Sequence, residues 1–467
     1  MLSVIYRVKF IVKPIFFIYH LLYRIFWSGL NGRNIFQLVL NFSINFSPVF
    51  IWLMIFKNAG LIPKSIRPSI HVEAAMKLDE FIFNFRDVPF GSAISFLILL
   101  MVSYLFYKLI YSKKCLTSYY YQKEIYALNN RLPPSSSESS ISTILDLEEN
   151  SEYELSNLQE FDSGYLSPAP GDFQEDRHIG DLEYFATSSY NSISSSASLI
   201  SKKILHHMKP GKSYRPYNCW YLAPPLLLAF SWLLLNIAYV LKDNINSKKD
   251  ILAWFSYVIC HFFVPLFTAI WLYVFHAPGA LKLFSFGLGM QNIAGVLTHL
   301  LFPTAPPWYI HLDDKNKTAS YDFPGYAAGL TRVDMAMGTH MHSKGFHMSP
   351  IVFGAVPSLH SAMATMVFFF ISYYSRWNIL KVLALCFVVL QWWATIYLDH
   401  HWRVDLLIGM FYSIIAYTIL FRSKRGLKKV DRDFVKAKLR FDFKRGSTMG
   451  MRTFRNTKLQ NFFDPLS

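Results

Sequence analysis

The sequence is poor in charged residues, which make up only 16% of its 467 positions, whereas 53% are hydrophobic. An average soluble domain is about one quarter charged. The mean hydropathy is +0.25, and the four cysteines are scattered without a Cys-x-x-Cys pair. This composition argues against a water-soluble enzyme, and the cysteine pattern indicates neither a disulfide framework nor a zinc knuckle.

Acidic residues are scarce outside one stretch of the chain. Residues 132–200 hold 13 acids and one basic residue, so that this stretch carries −12, while the whole chain carries +16. Such a basic balance elsewhere indicates nucleic acid or anionic lipid as a neighbour. In a chain this apolar we expect lipid and no nucleic acid.

Long apolar runs account for most of the chain. A helix needs about 20 mostly apolar residues to cross a bilayer. Eight segments meet this requirement: 36–56, 89–107, 219–241, 251–276, 283–302, 351–374, 382–398 and 404–421. Residues 5–30 are also apolar, but basic residues interrupt them, which predicts an interfacial helix. The expected fold class is therefore an all-α polytopic membrane protein with about eight transmembrane helices.

Basic residues near the spans predict the orientation. Residues 1–35 hold five basic residues and no acid, and residues 422–458 hold 14 basic residues against three acids. Both termini are therefore expected in the cytoplasm, and the glycosylation sequon at Asn316 agrees with a luminal loop. The predicted segments are an interfacial helix (1–35), two spans (36–111), a mostly disordered, Ser-rich acidic cytoplasmic segment (112–218), a membrane core (219–421) with luminal loop 303–350, and a basic tail (422–467).

Polar residues at the membrane boundary are costly and usually functional. His360 begins the sixth span, and His401 and Asp405 lie between the seventh and eighth, so all three come to the luminal side. If residues 401–405 are helical, His401 and Asp405 share one face. The carboxylate can then hold one imidazole nitrogen and leave the other as a nucleophile, with His360 exchanging protons. A lone histidine such as His261, within the fourth span, is expected to be a satisfied core residue.

Two of these motifs resemble a known superfamily. Pro357-Ser358-x-His360 and His401-x-x-x-Asp405 are similar to the second and third signature elements of the type 2 phosphatidic acid phosphatase superfamily of membrane phosphoesterases and phosphotransferases. The resemblance implies that His401 attacks phosphorus and becomes phosphorylated, that His360 is the general acid and base, and that Asp405 orients the nucleophile. It also implies a phosphatase-type helical core and requires no metal or other cofactor.

The sequence departs from the phosphatase pattern in its cationic residues. The Ser-Arg element before the nucleophile is replaced by Ala394-Thr395, and the Lys-x6-Arg-Pro element has no match. A phosphorane still needs positive charge or aimed donors, and Arg332 and Lys344 of the luminal loop are the candidates. The other substrate-binding candidates are Ser358, His400 and Asp334.

A narrower resemblance covers residues from about 250 to 421. Pro306-Pro307-Trp308-Tyr309 and the segments 329–334 and 349–360 are similar to the fungal sphingolipid inositol phosphotransferases, and the segments 291–295 and 345–349 resemble the branch with a mannosylated acceptor. The resemblance implies that phosphoinositol passes from phosphatidylinositol to mannosyl-inositolphosphoryl-ceramide, with release of diacylglycerol, at the luminal face of the Golgi membrane.

Three alternatives remain open at this point. Ceramide itself is the acceptor in the nearest one, and the sequence does not display the acceptor pocket that separates the two. Water is the acceptor in a lipid phosphatase, against which the missing Ser-Arg and Lys-x6-Arg-Pro elements argue. A non-catalytic lipid binder or scramblase belongs to another class, and the intact histidines and acid count against it.

Overall fold

The computed structural model describes residues 2–108, 219–312, 319–439 and 442–465. In these ranges the chain is helical, and β-pairing is limited to isolated bridges that join Thr304 to His71 and Gly354. The predicted disordered segment 112–218 and the sequon at Asn316 lie outside the described residues. The all-α expectation is confirmed.

Fifteen helices are numbered here in chain order within the described residues. They are α1 Leu2–Leu30, α2 Ile35–Asn58, α3 Ala74–Phe83, α4 Pro89–Phe106, α5 Ala223–Val240, α6 Ser247–Phe275, α7 Ala280–Leu301, α8 Pro307–His311, α9 Leu330–Met337, α10 Met341–His347, α11 Leu359–Tyr374, α12 Asn378–Tyr397, α13 Arg403–Arg422, α14 Leu427–Leu439 and α15 Met449–Thr453. Helix α6 contains a π-helical turn, Phe255–Cys260.

Helix starts follow local sequence signals. Asn34 caps α2 with a capping box completed by Gln37, Asn246 accepts a hydrogen bond from the amide of Lys249, and Ser358 accepts one from the amide of Ser361. Asn and Ser are favoured at this position because their side chains satisfy amides that have no partner inside the helix.

Each of the eight predicted spans contains one helix. By length and composition, seven candidate spans in the described residues are long and apolar enough to cross a membrane, and α11, with 16 residues, is shorter. The prediction began this sixth span at residue 351, but residues 351–358 form a loop, because Pro357 precedes the cap Ser358 and the helix begins only at Leu359. The polytopic architecture is confirmed, with this correction to its sixth span.

The long helices run between the two ends of one bundle. At one end, Tyr273 Oη donates to the carbonyl of Gly29 at 2.8 Å, and Arg452 Nε donates to the carbonyl of Ser28 at 3.1 Å. The turn after α11 joins them, since Arg376 Nη2 donates to the carbonyl of Phe462 at 2.9 Å. The end of α1 and the described part of the basic tail therefore pack together, and α11 runs from there to the opposite end.

Close packing of α13 against the loop before α11 depends on a glycine. A Cβ atom on Gly409 would lie 2.2 Å from the carbonyl oxygen of Ser358. Any side chain at this position would push the two elements apart. Gly409 therefore allows the loop that carries Ser358 to rest directly on α13.

Candidate active site

Two loops meet at the end of the bundle opposite the tail. They are residues 353–358, which lead into α11, where His360 is the second residue, and residues 398–402, which carry His401 and lead into α13. The amide of Ser358 donates to the carbonyl of Asp405 at 3.0 Å, and Ser361 Oγ donates to the carbonyl of Leu406 at 2.6 Å. Trp392 Nε1 of α12 donates in turn to Ser361 Oγ at 2.8 Å. These bonds hold both histidine-bearing segments in one place.

His401 lies before α13 rather than within it, so the expected helical face shared with Asp405 is not the reason for their contact. Trp402 is the N-cap residue, and Asp405 Oδ2 accepts from its amide at 2.8 Å. The same oxygen lies 3.3 Å from His401 Nδ1. Asp405, on the first turn of α13, thus contacts both the Trp402 amide and the His401 ring. A proton on Nδ1, donated to this carboxylate, would leave Nε2 with a lone pair.

Burial sets the charge of the His401 ring. The side chain is 10% exposed, and that of Asp405 is fully buried. Burial lowers the pKa of His401 to about 4, and the backbone carbonyl of Ala355 opposes this shift only in part. The imidazole is therefore neutral near pH 7, which a nitrogen nucleophile requires.

His360 lies beside His401, with ring centroids 5.8 Å apart. It stacks on Tyr257 at 4.3 Å, Tyr257 stacks on His400 at 5.0 Å, and His400 stacks on Phe346 at 4.8 Å. The interplanar angles in this column are 23°, 18° and 23°. The structure thus brings His360, His400 and His401 together and holds the first two in an aromatic stack.

Sequence reasoning missed two residues of this cluster. Tyr257 and His261 both come from α6, where the π-helical turn ends at Cys260. The His261 ring lies 4.3 Å from that of His360, and its Nδ1 is buried without a hydrogen-bond partner. The expectation of a satisfied core histidine is wrong for this nitrogen. The signal was present in the sequence as a Tyr-x-x-x-His pair on one face of an otherwise apolar span.

The two cations predicted to hold the phosphate lie elsewhere on loop 303–350. Arg332 Nε donates to Asp250 Oδ1 at 2.9 Å, and its guanidinium lies over the ring of Tyr397 at 5.4 Å. Lys344 is exposed on α10. The ionisable neighbours that act on His360 in the described residues are His261, His400 and His401. A role for Arg332 or Lys344 in phosphate binding stays a prediction.

The three remaining candidates have different surroundings. Ser358 is fully buried and caps α11. Asp334 accepts hydrogen bonds from His342 Nδ1 at 2.7 Å and from the amide and hydroxyl of Ser343 at 2.9 Å. Burial raises the pKa of Asp334, but these bonds outweigh it and lower the pKa overall. His400 is 5% exposed, and its Nε2 has no partner.

Two helix N-termini converge on the histidines. His360 is the second residue of α11, and His401 lies two residues before α13. The first amides of a helix have no partner inside it, and the N-terminus carries about half a positive charge. At α13 the amide of Val404 already donates to Asp79, so the start of α11 is the helix end that can stabilise an anionic phosphate without a bound cation.

A cavity of about 610 Å³ opens beside residues 349–353, which precede α11. Its apolar wall includes Leu297 and Leu301 of α7, and its polar wall includes Arg67 and Lys64. His299 also lines it, and His299 Nε2 lies 2.9 Å from the carbonyl oxygen of Pro357, the residue before Ser358. The cavity thus borders the loop that leads into α11, while His360, His400 and His401 do not line it.

Comparison with known proteins agrees with this geometry. Residues 225–419 match the model of the PAP2 superfamily. The chain is 30% identical to inositolphosphotransferase 1 of Saccharomyces cerevisiae, in an alignment that covers 94% of this chain and 97% of that protein. The chain belongs to the inositol phosphotransferases of the PAP2 superfamily. Its membrane helices and its relatives make it a multi-pass membrane phosphotransferase of sphingolipid metabolism.

Other relatives of this phosphotransferase match only part of the chain. The inositol phosphorylceramide synthase of Candida albicans is 38% identical over 41% of each chain. The phosphoinositol dihydroceramide synthase of Bacteroides thetaiotaomicron is 27% identical over 39% of this chain and 58% of its own. No solved structure matches the chain. The match to inositolphosphotransferase 1 is nearly full-length, whereas these two matches are partial. The comparisons therefore support an inositolphosphotransferase 1 better than a ceramide-specific enzyme.

Proposed function

We propose that the protein transfers phosphoinositol from phosphatidylinositol to mannosyl-inositolphosphoryl-ceramide through a phospho-histidine. The observation that carries this proposal is the arrangement of a neutral His401, held through Nδ1 by Asp405, with His360 at 5.8 Å between ring centroids. A phosphoryl group between the two rings can be attacked by one and receive or lose a proton through the other.

In the first half-reaction His401 Nε2 attacks the phosphorus of phosphatidylinositol. The bond from phosphorus to the diacylglycerol oxygen breaks, and His360 gives this oxygen its proton. Asp405 stabilises the positive charge that develops on the His401 ring. Diacylglycerol leaves, and phosphoinositol remains bonded to His401.

In the second half-reaction a sugar hydroxyl of the acceptor attacks the same phosphorus. His360, now neutral, takes the hydroxyl proton as the new oxygen–phosphorus bond forms. The phosphorus–nitrogen bond breaks, and His401 recovers its lone pair. Both rings return to their starting states, so that neither a metal ion nor an oxidant is consumed.

Charge in the cavity favours the mannosylated acceptor over ceramide. Both the donor and mannosyl-inositolphosphoryl-ceramide are anionic, but the donor phosphate must lie at the histidines to react. Arg67 lines the cavity and then suits a second phosphate that is not transferred, while Lys64 is paired with Asp322, which also lines the cavity. The mannosylated acceptor carries such a phosphodiester, and ceramide does not.

The walls of the cavity fit the rest of this acceptor. The Arg67 guanidinium lies over the ring of Tyr321 at 5.0 Å, and its Nε and Nη2 bond to carbonyls of 59–62. None of the hydrogen bonds found in the described residues uses Nη1, which leaves a donor for the ligand. Leu301 is 73% exposed on the outer side of α7, where a ceramide chain can lie in the bilayer.

Filling the cavity should therefore weaken acceptor use alone. Val352 lines it and is partly exposed. We expect Val352→Trp to raise the KM for mannosyl-inositolphosphoryl-ceramide at least tenfold, because an indole would occupy the headgroup space, while exchange of labelled diacylglycerol into phosphatidylinositol stays normal. Val352→Ala is the matched control and should leave both reactions unchanged. Equal loss of exchange and transfer in Val352→Trp would place the donor in the cavity instead.

The site is proposed to face the Golgi lumen. The basic termini support this orientation, and the histidines lie at the opposite end of the bundle from the tail. In sealed microsomes, a tag at the C-terminus should be accessible to protease, and a new sequon made by D322N with P324T should be glycosylated in an Asn316→Gln background. A protected tag with an unmodified sequon would place the site in the cytoplasm.

A further inference from the structure

Two polar atoms of the histidine cluster are buried without a partner. They are His261 Nδ1 and His400 Nε2. A buried donor or acceptor without a hydrogen bond has lost its contact with water and gained no partner in exchange. In a site such an atom calls for a water, an ion or a ligand that completes the hydrogen bonding. The His261 ring contacts that of His360, and Tyr257 lies between His360 and His400.

Packing fixes the direction of the His261 ring. Its centroid lies 4.3 Å from that of His360, with an interplanar angle of 38°. Tyr257, one turn earlier on α6, stacks on the same His360 ring at 4.3 Å. Two rings from one helix thus contact the general acid and base. A phosphoryl group that His360 can reach is therefore also within range of the side chain one turn further along α6.

The site also lacks the cationic groups that a phosphorane usually meets. Ala394-Thr395 replaces the expected Ser-Arg element, and Arg332 is paired with Asp250. The Arg403 guanidinium, near His401 in sequence, is committed to Asp79. Neutral donors aimed at the developing charge can replace a cation, because they act in a site of low dielectric constant.

We propose that His261 is a catalytic residue that donates a hydrogen bond from Nδ1 to a non-bridging oxygen of the phosphoryl group under transfer. The phosphate, rather than a protein group, is then the missing partner of His261. This inference rests on the proposed phospho-histidine reaction and adds the residue that binds its transition state.

A pair of substitutions separates this role from packing. His261→Phe keeps a ring against His360 but removes the nitrogen, while His261→Asn loses the ring but keeps an N–H donor near the position of Nδ1. Removing one donor to a transition-state oxyanion costs about 10²–10³-fold in kcat. We expect His261→Phe to lower kcat by about that factor in both diacylglycerol exchange and transfer, and His261→Asn to retain clearly more activity.

The opposite order would overturn the proposal. If His261→Phe is the more active variant, the ring serves packing, and a normal kcat in His261→Phe would likewise exclude a catalytic role. His276→Phe is the control, because this buried histidine follows α6 at the far end and also packs on aromatic rings, Trp271 and Tyr374. It should keep full activity.

The exchange assay keeps this test separate from the proposed function. Exchange needs only phosphatidylinositol and diacylglycerol, so a wrong acceptor assignment would leave it intact. If wild-type protein showed transfer without any exchange, the phospho-histidine reaction itself would fail, whatever the His261 variants did. Loss of exchange in His261→Phe with an unchanged melting temperature would support the catalytic role of His261, whichever acceptor the enzyme uses.

Discussion

His401→Ala should abolish both transfer to the acceptor and exchange of labelled diacylglycerol into phosphatidylinositol. Exchange requires the first half-reaction to run forward and back through the covalent intermediate, and without Nε2 no bond to phosphorus forms. We expect a loss of at least about 10⁴-fold, as is typical when a nucleophile is removed. The measurement is incorporation of labelled diacylglycerol by purified protein in detergent or liposomes.

Variants of the neighbouring residues should lose activity to different extents. His360→Ala should be severely impaired, because diacylglycerol alkoxide is a poor leaving group without a proton. Asp405→Asn should be impaired less, since the amide keeps the geometry but does not support the imidazolium charge. His340→Ala, an exposed histidine of the loop, is the control and should be fully active. Retained exchange in His401→Ala would reject it as the nucleophile.

The pH dependence of diacylglycerol exchange should also reflect the lowered pKa of His401. Burial lowers the pKa of His401 to about 4 from an ordinary value near 6.5. Since the neutral ring is the nucleophile, protonation of His401 should not reduce exchange until the pH approaches the lowered value.

Asp79→Ala should remove the side chain that holds the start of α13. We expect this loss to lower turnover indirectly, because Asp79 does not take part in the reaction itself. Asp79 Oδ2 accepts from Arg403 Nε and Nη2 at 3.0 and 2.7 Å, and Oδ1 accepts from the amide of Val404 at 3.0 Å. Both side chains are less than 10% exposed. Breaking a buried pair by removing one partner costs about 3–5 kcal/mol. His401 lies two residues before Arg403, so we also expect turnover to fall by about 10²-fold, because small displacements of a reacting group have effects of this size.

Two comparisons test the Asp79 prediction. Glu73, just before α3, forms an exposed ion pair with Lys77 of that helix. Glu73→Ala should change neither thermal stability nor turnover, because exposed pairs contribute little. The double variant Asp79→Leu with Arg403→Met should recover much of the stability, since no buried charge is left unpaired. A melting temperature unchanged in Asp79→Ala would show that the pair does not hold α13.

Local patterns were enough to predict the helices and the contact between His401 and Asp405. Apolar runs of about 20 residues specify spans by themselves, and His401 and Asp405 are close in sequence. The sixth span was placed too early, because residues 351–358 are apolar yet form a loop fixed by the cap at Ser358. The same apolar pattern serves a span and a buried loop, and only the cap and the prolines distinguish them.

The rest of the site depends on contacts between distant parts of the chain. His261 meets His360 from a different helix, and Asp79 meets Arg403 across 324 positions. Arg332 looked free to bind phosphate, but its partner Asp250 is 82 positions away. No local periodicity encodes such pairs, so sequence reasoning could neither find the first two nor foresee the third.

The central claim is a covalent bond between phosphoinositol and His401, and trapping this intermediate tests it most directly. Wild-type protein incubated with inositol-labelled phosphatidylinositol without acceptor, then quenched in alkali and digested, should yield a label that is stable in base, labile in acid and carried by the peptide containing His401. Label should disappear in His401→Ala and on addition of mannosyl-inositolphosphoryl-ceramide to the wild type. Label retained in His401→Ala but lost in His400→Ala would place the nucleophile one residue earlier, and a fully active wild type that never becomes labelled would contradict the covalent mechanism.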